Sequence, residues 1–182
     1  MIKKRIVITG GPGTGKTSII NQLEASDFFC FHEIIRDMTQ EALKTNTIES
    51  NPIISVSDPY QFNSSILNGR IDQFKKALTQ GQDLLFYDRG IPDVLAYMSY
   101  FEQPIDDLFI NACEEHTYDQ VFLLPPWREI YVVDDGRYES FEQAQEIHHH
   151  LVMIYERFGY KCHEVPFGNI ENRFNFIIQN LM

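Results

Sequence analysis

Eight residues near the start of the chain have the spacing of a loop that binds phosphate. Gly10 is followed by four residues and then by Gly15-Lys16-Thr17, which fits the pattern G-x-x-x-x-G-K-[ST]. Glycines let the backbone turn tightly enough for several N–H groups to point at one centre. The nucleotide contacts that we predict are Gly10, Gly11, Pro12, Gly13, Thr14, Gly15, Lys16, Thr17 and Ser18.

Two residues of this loop have chemistry of their own. Lys16 is expected to reach the β- and γ-phosphates, and the hydroxyl of Thr17 is expected to bind Mg²⁺. A β-branched run at residues 5–9 predicts a buried strand before the loop, and residues 17–24 predict a helix after it. This context favours a phosphate site over the alternative of a glycine-rich turn without a ligand, since the helix adds its positive end.

A second strand is predicted to end in charged side chains. Residues 84–87 are Leu-Leu-Phe-Tyr, and Asp88 and Arg89 follow directly. A carboxylate at the carboxyl end of such a strand can hold Mg²⁺ or act as a base, and the arginine can serve a phosphate. The alternative is a structural ion pair. Glu33, after a predicted strand at residues 28–32, is a candidate base or hydrogen-bond acceptor for an acceptor molecule, and the alternative for it is a helix cap.

Residues 125–140 form a long connection that we interpret as a lid. Arg128 and Arg137 are predicted to stabilise a moving phosphoryl group when the lid closes. Trp127 and Tyr131 are candidates for stacking on a base. The alternative is an exposed surface loop. After the last predicted strand, Pro166 and Phe167 are further candidates to contact the base.

The periodicity predicts an α/β fold. Short apolar runs alternate with amphipathic stretches, which predicts a parallel sheet of five strands with helices on both faces. The predicted strands are residues 5–9, 28–32, 84–87, 120–124 and 161–165, and the predicted helices are residues 17–24, 34–43, 59–80, 91–101, 104–116, 141–159 and 169–181.

The composition and net charge restrict the classes of partner that the protein is expected to bind. The 182 residues suit one domain, 1–182, and the net charge of −11 disfavours a nucleic-acid backbone. No targeting segment or membrane span is apparent, and the three separated cysteines show neither metal spacing nor a disulfide framework. We therefore expect a cytoplasmic protein. His148, His149 and His150 are interpreted as a helix surface, because consecutive helical residues point in different directions.

The chain resembles a family of predicted ATPases often labelled as an AAA domain. The resemblance is carried by residues 10–17, by Glu33, by Asp-Arg-Gly-Ile-Pro-Asp at 88–93, by Leu-Leu-Pro-Pro-Trp-Arg at 123–128 and by the stretch 131–159. That family is similar to the ribosylnicotinamide kinase domain of the bacterial NAD regulator and, more distantly, to deoxynucleoside and thymidylate kinases.

The resemblance covers nearly the whole chain and implies a P-loop NTPase of the nucleoside- and nucleotide-kinase type with a lid. It does not imply an oligomeric AAA+ machine, because the chain lacks room for the additional helical domain. One animal relative is considered a trafficking factor that binds GTP and phosphoinositide, which keeps a non-enzymatic function open.

Two functional hypotheses remain at this point. The first is a kinase that uses ATP and Mg²⁺ to phosphorylate a small-molecule acceptor of nucleoside or nucleotide type. The second is a regulatory module that binds ATP or GTP and hydrolyses it slowly. The Asn-Lys-x-Asp motif that reads guanine in regulatory GTPases is absent, which favours ATP. The acceptor and the oligomeric state stay open.

Overall fold

The computed structural model describes residues 3–35, 58–131 and 140–181. Within these ranges the elements alternate between strands and helices. The order is β1 (Lys4–Gly10), α1 (Lys16–Ala25), β2 (Phe29–Phe31), α2 (Pro59–Lys76), β3 (Leu84–Asp88), α3 (Pro92–Tyr100), α4 (Asp107–Glu115), β4 (Gln120–Leu124), α5 (Phe141–Arg157), β5 (His163–Glu164) and α6 (Ile170–Gln179). Short 3₁₀ helices follow α2 at Ala77–Thr79 and β4 at Arg128–Ile130.

The five strands form one parallel sheet in the order β2-β3-β1-β4-β5. Strand β1 lies at the centre, where Ile8 is opposite Asp88 of β3 and Gly10 is opposite Leu124 of β4. The chain crosses from one side of β1 to the other between β3 and β4. In open parallel sheets, ligands bind outside the carboxyl ends of strands at such a switch point.

Alternate residues of β1 enter two separate cores, as the period of a strand requires. Val7 packs with the core formed by α2, α3, α4 and α5, whereas Ile6 and Ile8 pack with the core formed by α1 and α6. Both faces of the sheet are therefore covered by helices, which explains why β3 and β4 are almost continuously apolar.

Local sequence explains where several helices begin. Helix α3 starts with a proline in its first turn, where a missing N–H costs nothing. Helix α2 is capped by Asp58, which accepts a hydrogen bond from the Gln61 N–H at 3.0 Å. Helix α5 begins with a capping box between Ser140 and Gln143.

The predicted α/β class and the five parallel strands are confirmed. The main differences are in length: α2 changes to a 3₁₀ turn after Lys76, and the pairing of β5 covers only His163–Glu164. Of the predicted helix at residues 34–43, Ile34 and Ile35 are helical and the rest lies outside the described residues. In the described part of the chain, no helix combines the length and apolarity needed to cross a membrane.

Candidate active site

The phosphate loop, residues 10–17, connects the central strand β1 to α1. Gly13 and Gly15 have φ values of 70° and 84°, in the left-handed region that favours glycine. Helix α1 starts at Lys16, directly after Gly15, so its N-terminus is at the loop. Lys16 is buried, and its Nζ donates a hydrogen bond to the Gly11 carbonyl at 2.7 Å. The predicted loop therefore has the backbone geometry expected of an anion site.

Several charged groups surround the ammonium of Lys16. Burial lowers the pKa of Lys16 to about 7, the nearby Arg89 guanidinium lowers it as well, and the carboxylates of Asp88 and Glu33 oppose the shift. The electrostatic environment thus joins the loop to residues from β3 and from the segment after β2. These are three of the four segments whose charged residues the sequence singled out, the fourth being residues 125–140, and the structure brings the three to the same edge of the sheet.

Arg89 has an unusual backbone conformation at the end of β3. Its φ is 73°, a left-handed value that costs a non-glycine residue roughly 1 kcal/mol or more. Its N–H donates to the Ile8 carbonyl at 3.0 Å, which continues the sheet hydrogen bonding one residue beyond Asp88. The turn places the Arg89 side chain beside the phosphate loop, where Nη1 donates to the Gly10 carbonyl at 3.2 Å.

Arg89 and Glu33 form a close, shielded ion pair. Nε of Arg89 lies 2.5 Å from Oε1 of Glu33, and the two side chains are 8% and 19% exposed. Burial alone would raise the pKa of Glu33, but the positive charges of Arg89, Lys16 and Arg70 outweigh it and hold the pKa at about 2. Glu33 is therefore ionised at neutral pH and is suited to accept hydrogen bonds rather than protons.

Asp93, a fully buried carboxylate in the first turn of α3, accepts hydrogen bonds from the groups around Arg89. One oxygen, Oδ1, accepts from Thr9 Oγ1 at 2.5 Å and lies 3.4 Å from Nη1 of Arg89. The other, Oδ2, accepts from the Gly90 N–H at 2.9 Å and from the Tyr155 hydroxyl at 2.5 Å. Asp93 thus links β1, the turn after β3 and helix α5 in one buried hydrogen-bond network.

A second buried arginine supports the same turn from α2. Arg70 is buried and its Nη1 donates to the carbonyl of Gly90. A Cβ atom at Gly90 would lie 2.7 Å from the Tyr155 hydroxyl, so this turn has no room for a larger residue. Helix α2 therefore contributes a positioning arginine to the edge of the site, in addition to the apolar residues that it buries in the core.

The phosphate loop is also approached from the segment after β4 and from α5. A Cβ atom at Gly13 would lie 2.5 Å from Cδ2 of Tyr131, and one at Gly11 would lie 2.9 Å from the Ala144 carbonyl oxygen. Tyr131 of the predicted lid, and the first turns of α5 directly after the lid, are therefore next to the loop. Tyr131, which the sequence offered as a candidate for stacking on a base, lies against Gly13 of the phosphate loop.

The remaining lid and base residues are at the surface or outside the described residues. Arg128 is exposed and pairs with Glu142 at 3.1 Å, and Arg137 falls in residues 132–139, which the structure does not describe. Trp127 stacks on Phe167 with ring centroids 5.4 Å apart, and Phe167 is exposed, as is Pro166. The structure thus places Trp127 and Phe167 together, in an arrangement that presents aromatic surface near the end of β5.

The sequence patterns did not assign a site role to four residues of this region, namely Arg70, Asp93, Tyr155 and Arg173. The last of these lies in α6 and donates to the Thr14 carbonyl of the phosphate loop at 2.9 Å. Asp93 had the most visible signal, since an acidic residue four positions after Arg89 in Asp-Arg-Gly-Ile-Pro-Asp can meet it across one helical turn. Tyr155 and Arg173 lie in amphipathic helices, where nothing local distinguishes them from core residues.

The donor atoms near the loop suit a magnesium ion. Thr17 offers a hydroxyl and Asp88 a carboxylate, and hard oxygen donors of this kind are the ligands that Mg²⁺ prefers. No three His, Cys, Asp or Glu side chains in the described ranges converge on a metal-sized centre. Such a sparse donor set fits an ion that takes most of its ligands from phosphate oxygens and water.

The comparisons with known proteins agree with this fold. Residues 5–173 match a protein family described as an AAA domain. Among solved structures, the NadR protein in complex with NR is similar over 98% of this chain and 50% of that chain, with 20% identity and a TM-score of 0.74. The chain therefore spans about half the length of NadR. No curated protein sequence matches it.

Two complete kinases have the same fold at lower identity. Deoxyadenosine kinase from M. mycoides matches over 96% of this chain and 97% of that chain, with 14% identity and a TM-score of 0.65. Thymidylate kinase from Ehrlichia chaffeensis matches over 98% of both chains, with 16% identity and a TM-score of 0.64. The chain belongs to the AAA-domain family that its sequence matches, and it has the five-stranded parallel fold of P-loop nucleoside and nucleotide kinases.

Proposed function

We propose that this protein is a Mg²⁺-dependent kinase that transfers the γ-phosphoryl group of ATP to a nucleoside- or nucleotide-like acceptor. One observation carries the proposal. The shielded Arg89–Glu33 pair lies against the first residue of the phosphate loop, with Arg89 bonded to the Gly10 carbonyl. A site that only held phosphates would not need a second set of buried charges on the β2 side of the loop, and an acceptor does.

Each side chain has a role in this reaction. Lys16 and the loop amides bind the β- and γ-phosphates, and Arg89 stabilises the negative charge that spreads over the equatorial oxygens of the moving group. Thr17 and Asp88 would hold Mg²⁺, which supplies further charge neutralisation at the phosphate oxygens. The acceptor oxygen forms a bond to the γ-phosphorus as the bond from that phosphorus to the leaving oxygen of ADP breaks.

The low pKa of Glu33 defines its part more narrowly. A carboxylate with a pKa of about 2 is a weak base, so Glu33 orients the acceptor by accepting its hydrogen bond. In a loose transition state the hydroxyl proton leaves late, and Asp88 or solvent can take it. This assigns orientation of the acceptor, rather than removal of its proton, to Glu33.

The test is a search for product by mass spectrometry. The protein is incubated with Mg²⁺–ATP and a pool of nucleosides, nucleotides and ribosylnicotinamide, and one acceptor is expected to gain the mass of one phosphate. Lys16→Ala should abolish this product, whereas Lys75→Ala, an exposed charge-matched control on α2, should leave it unchanged. Glu33→Gln should lower kcat more than it weakens nucleotide binding.

A regulatory module is the second candidate, and one observation favours it. Tyr131, in the predicted lid, and Ala144, in the helix directly after it, lie next to two glycines of the phosphate loop, so this region is placed to respond to a bound nucleotide. This function predicts tight binding of ATP or GTP with no phosphorylated acceptor in the same experiment. Its lid would then report the bound state to a partner.

A further inference from the structure

A buried arginine reaches the phosphate loop from α6, the helix that packs with α1 on one face of the sheet. Arg173 lies in α6, is 3% exposed, and donates from Nη2 to the Thr14 carbonyl at 2.9 Å, across 159 positions of sequence. Its Nη1 would be 2.8 Å from a Cβ atom at Gly15, so the guanidinium lies directly against the loop.

The hydrogen bond to Thr14 determines the direction of the next amide. In a trans peptide the C=O and the following N–H point in opposite directions, and the structure has no cis peptide among the described residues. Because the Thr14 carbonyl points at α6, the Gly15 N–H points away from it. That is the direction expected of an amide that binds phosphate at the start of α1.

The charge of Arg173 has no acidic partner among the described residues. The ion pairs of the described chain involve other side chains, and burial alone lowers the pKa of Arg173. A buried cation without a counter-charge is costly, and an apolar side chain of similar size would pack against α1 at a lower cost. Its Nε is also without a hydrogen-bond partner in this part of the chain. Packing therefore does not explain an arginine at this position.

We propose that Arg173 is a positioning residue of the phosphate loop, which holds the Thr14–Gly15 peptide with its N–H directed at the nucleotide phosphates. The inference rests on the nucleotide-binding half of the proposed function and does not require phosphoryl transfer. Arg173 acts through the loop backbone, and the phosphates of the bound nucleotide provide negative charge that the described residues around Arg173 do not.

Calorimetric titration with Mg²⁺–ADP and Mg²⁺–ATP tests the proposal in the full chain. Arg173→Met removes both the hydrogen bond and the charge, and we expect the Kd of both nucleotides to rise at least tenfold. Arg173→Lys keeps the charge but loses the planar fork, and we expect it to weaken binding at least threefold. Arg157→Met, an exposed arginine at the end of α5, is the charge-matched control and should bind like the parent protein.

A local readout separates positioning from general packing. Hydrogen exchange of peptides covering residues 10–17 should be faster in the ADP complex of Arg173→Met than in the parent complex, while the strands of the sheet keep their protection. Guanidinium ion at millimolar concentration should restore part of the nucleotide affinity of Arg173→Ala, since it can occupy the space of the missing group.

The affinities of these variants decide whether Arg173 positions the loop. Parent-like affinity in a folded Arg173→Met variant would overturn the proposal, and so would full affinity in Arg173→Lys, which would leave only an effect of charge. If Arg173→Met does not fold cooperatively, the lysine variant alone gives the answer. Failure of the parent protein to bind either nucleotide would overturn this proposal together with the proposed function, whereas binding without transfer would count against the kinase alone.

Discussion

Two arginine–glutamate pairs in this protein have the same chemistry and opposite environments. Arg89 and Glu33 are 2.5 Å apart with side chains 8% and 19% exposed, whereas Arg128 and Glu142 are 3.1 Å apart with side chains 71% and 68% exposed. Both arginines were candidates for stabilising a phosphoryl group. The difference is that Arg89 is held in place before any ligand binds, while Arg128 depends on a movement of its segment to reach the loop.

The environments have different consequences for stability and for catalysis. A shielded pair removes two charges from water, so loss of one partner leaves the other unsatisfied, while an exposed pair is screened by solvent and salt. A fixed arginine stabilises charge in a transition state without paying for reorganisation at that moment. Replacing residues of the two pairs in parallel therefore separates structural from purely catalytic contributions.

The largest effect is expected from Arg89→Met. This change leaves the carboxylates of Glu33 and Asp93 without their cation, and removal of one member of a buried pair typically costs about 3–5 kcal/mol. We expect the free energy of unfolding in urea to fall by that amount and phosphoryl transfer to be lost. Arg157→Met is the control. A loss below about 1 kcal/mol would mean that the Arg89 site is well hydrated.

The next effect depends on pH. The pKa of Glu33 is lowered to about 2 in the folded protein, so its contribution to stability is present above its ordinary value of 4.5 and disappears as the pH falls toward 2. Urea unfolding between pH 6 and pH 3 should show a loss in the parent protein that Glu33→Gln lacks, approaching roughly 2–3 kcal/mol at the acid limit. Parallel slopes for the two proteins would contradict the low pKa.

Sequence patterns were most informative where function depends on neighbouring residues. The phosphate loop is local, because its glycines, lysine and threonine lie within one turn between a strand and a helix. Asp88 and Arg89 were also visible, since they end an apolar run. The parallel sheet predicted that Glu33 would lie at this edge. Its direct pairing with Arg89 depends on the left-handed conformation of Arg89, which no residue type in the sequence indicates.

The parts that could not be predicted come from distant elements. Asp93 resembles an ordinary acidic residue in the first turn of a helix, and only the packing of α5 shows that it accepts a hydrogen bond from the Tyr155 hydroxyl. Arg173 is 159 positions from the carbonyl it binds. Helical periodicity identifies which face of α5 or α6 is buried, but it does not say which polar side chain ends at the loop.

A smaller effect is expected at Asp93, which supports the buried pair from behind. Asp93→Asn replaces one of two accepting oxygens by a donor. Either Thr9 and Arg89 lose their acceptor at Oδ1, or the Gly90 N–H and the Tyr155 hydroxyl lose theirs at Oδ2. A buried unsatisfied group costs about 1–3 kcal/mol, and thermal unfolding should show that loss. Asp107→Asn, an exposed first-turn residue of α4, is the control.

Replacing Asp93 should also change the kinetics of phosphoryl transfer. Because Asp93 helps to place Arg89, its asparagine variant should lower kcat for phosphoryl transfer more than it raises the KM for ATP. Tyr155→Phe keeps the carboxylate and removes only one donor, so it should have the milder effect on both stability and kcat. An Asp93→Asn variant with parent kcat would show that Glu33 and the Gly10 carbonyl place Arg89 without help from Asp93.

The smallest effect on stability is expected for the exposed pair. Arg128 is exposed, with Glu142 and the Phe141 ring, whose centroid lies 4.2 Å from the guanidinium carbon, as its partners among the described residues. Arg128→Met and Glu142→Gln should therefore leave the unfolding midpoint unchanged. The double variant should show no coupling between them. If Arg128 closes over the phosphates during turnover, Arg128→Met lowers kcat and leaves the free energy of unfolding unchanged. Arg89→Met, by contrast, lowers both kcat and the free energy of unfolding. Equal losses of stability in the two arginine variants would remove the distinction between the pairs, and unchanged turnover in Arg128→Met would assign transition-state stabilisation to the buried arginine rather than to Arg128.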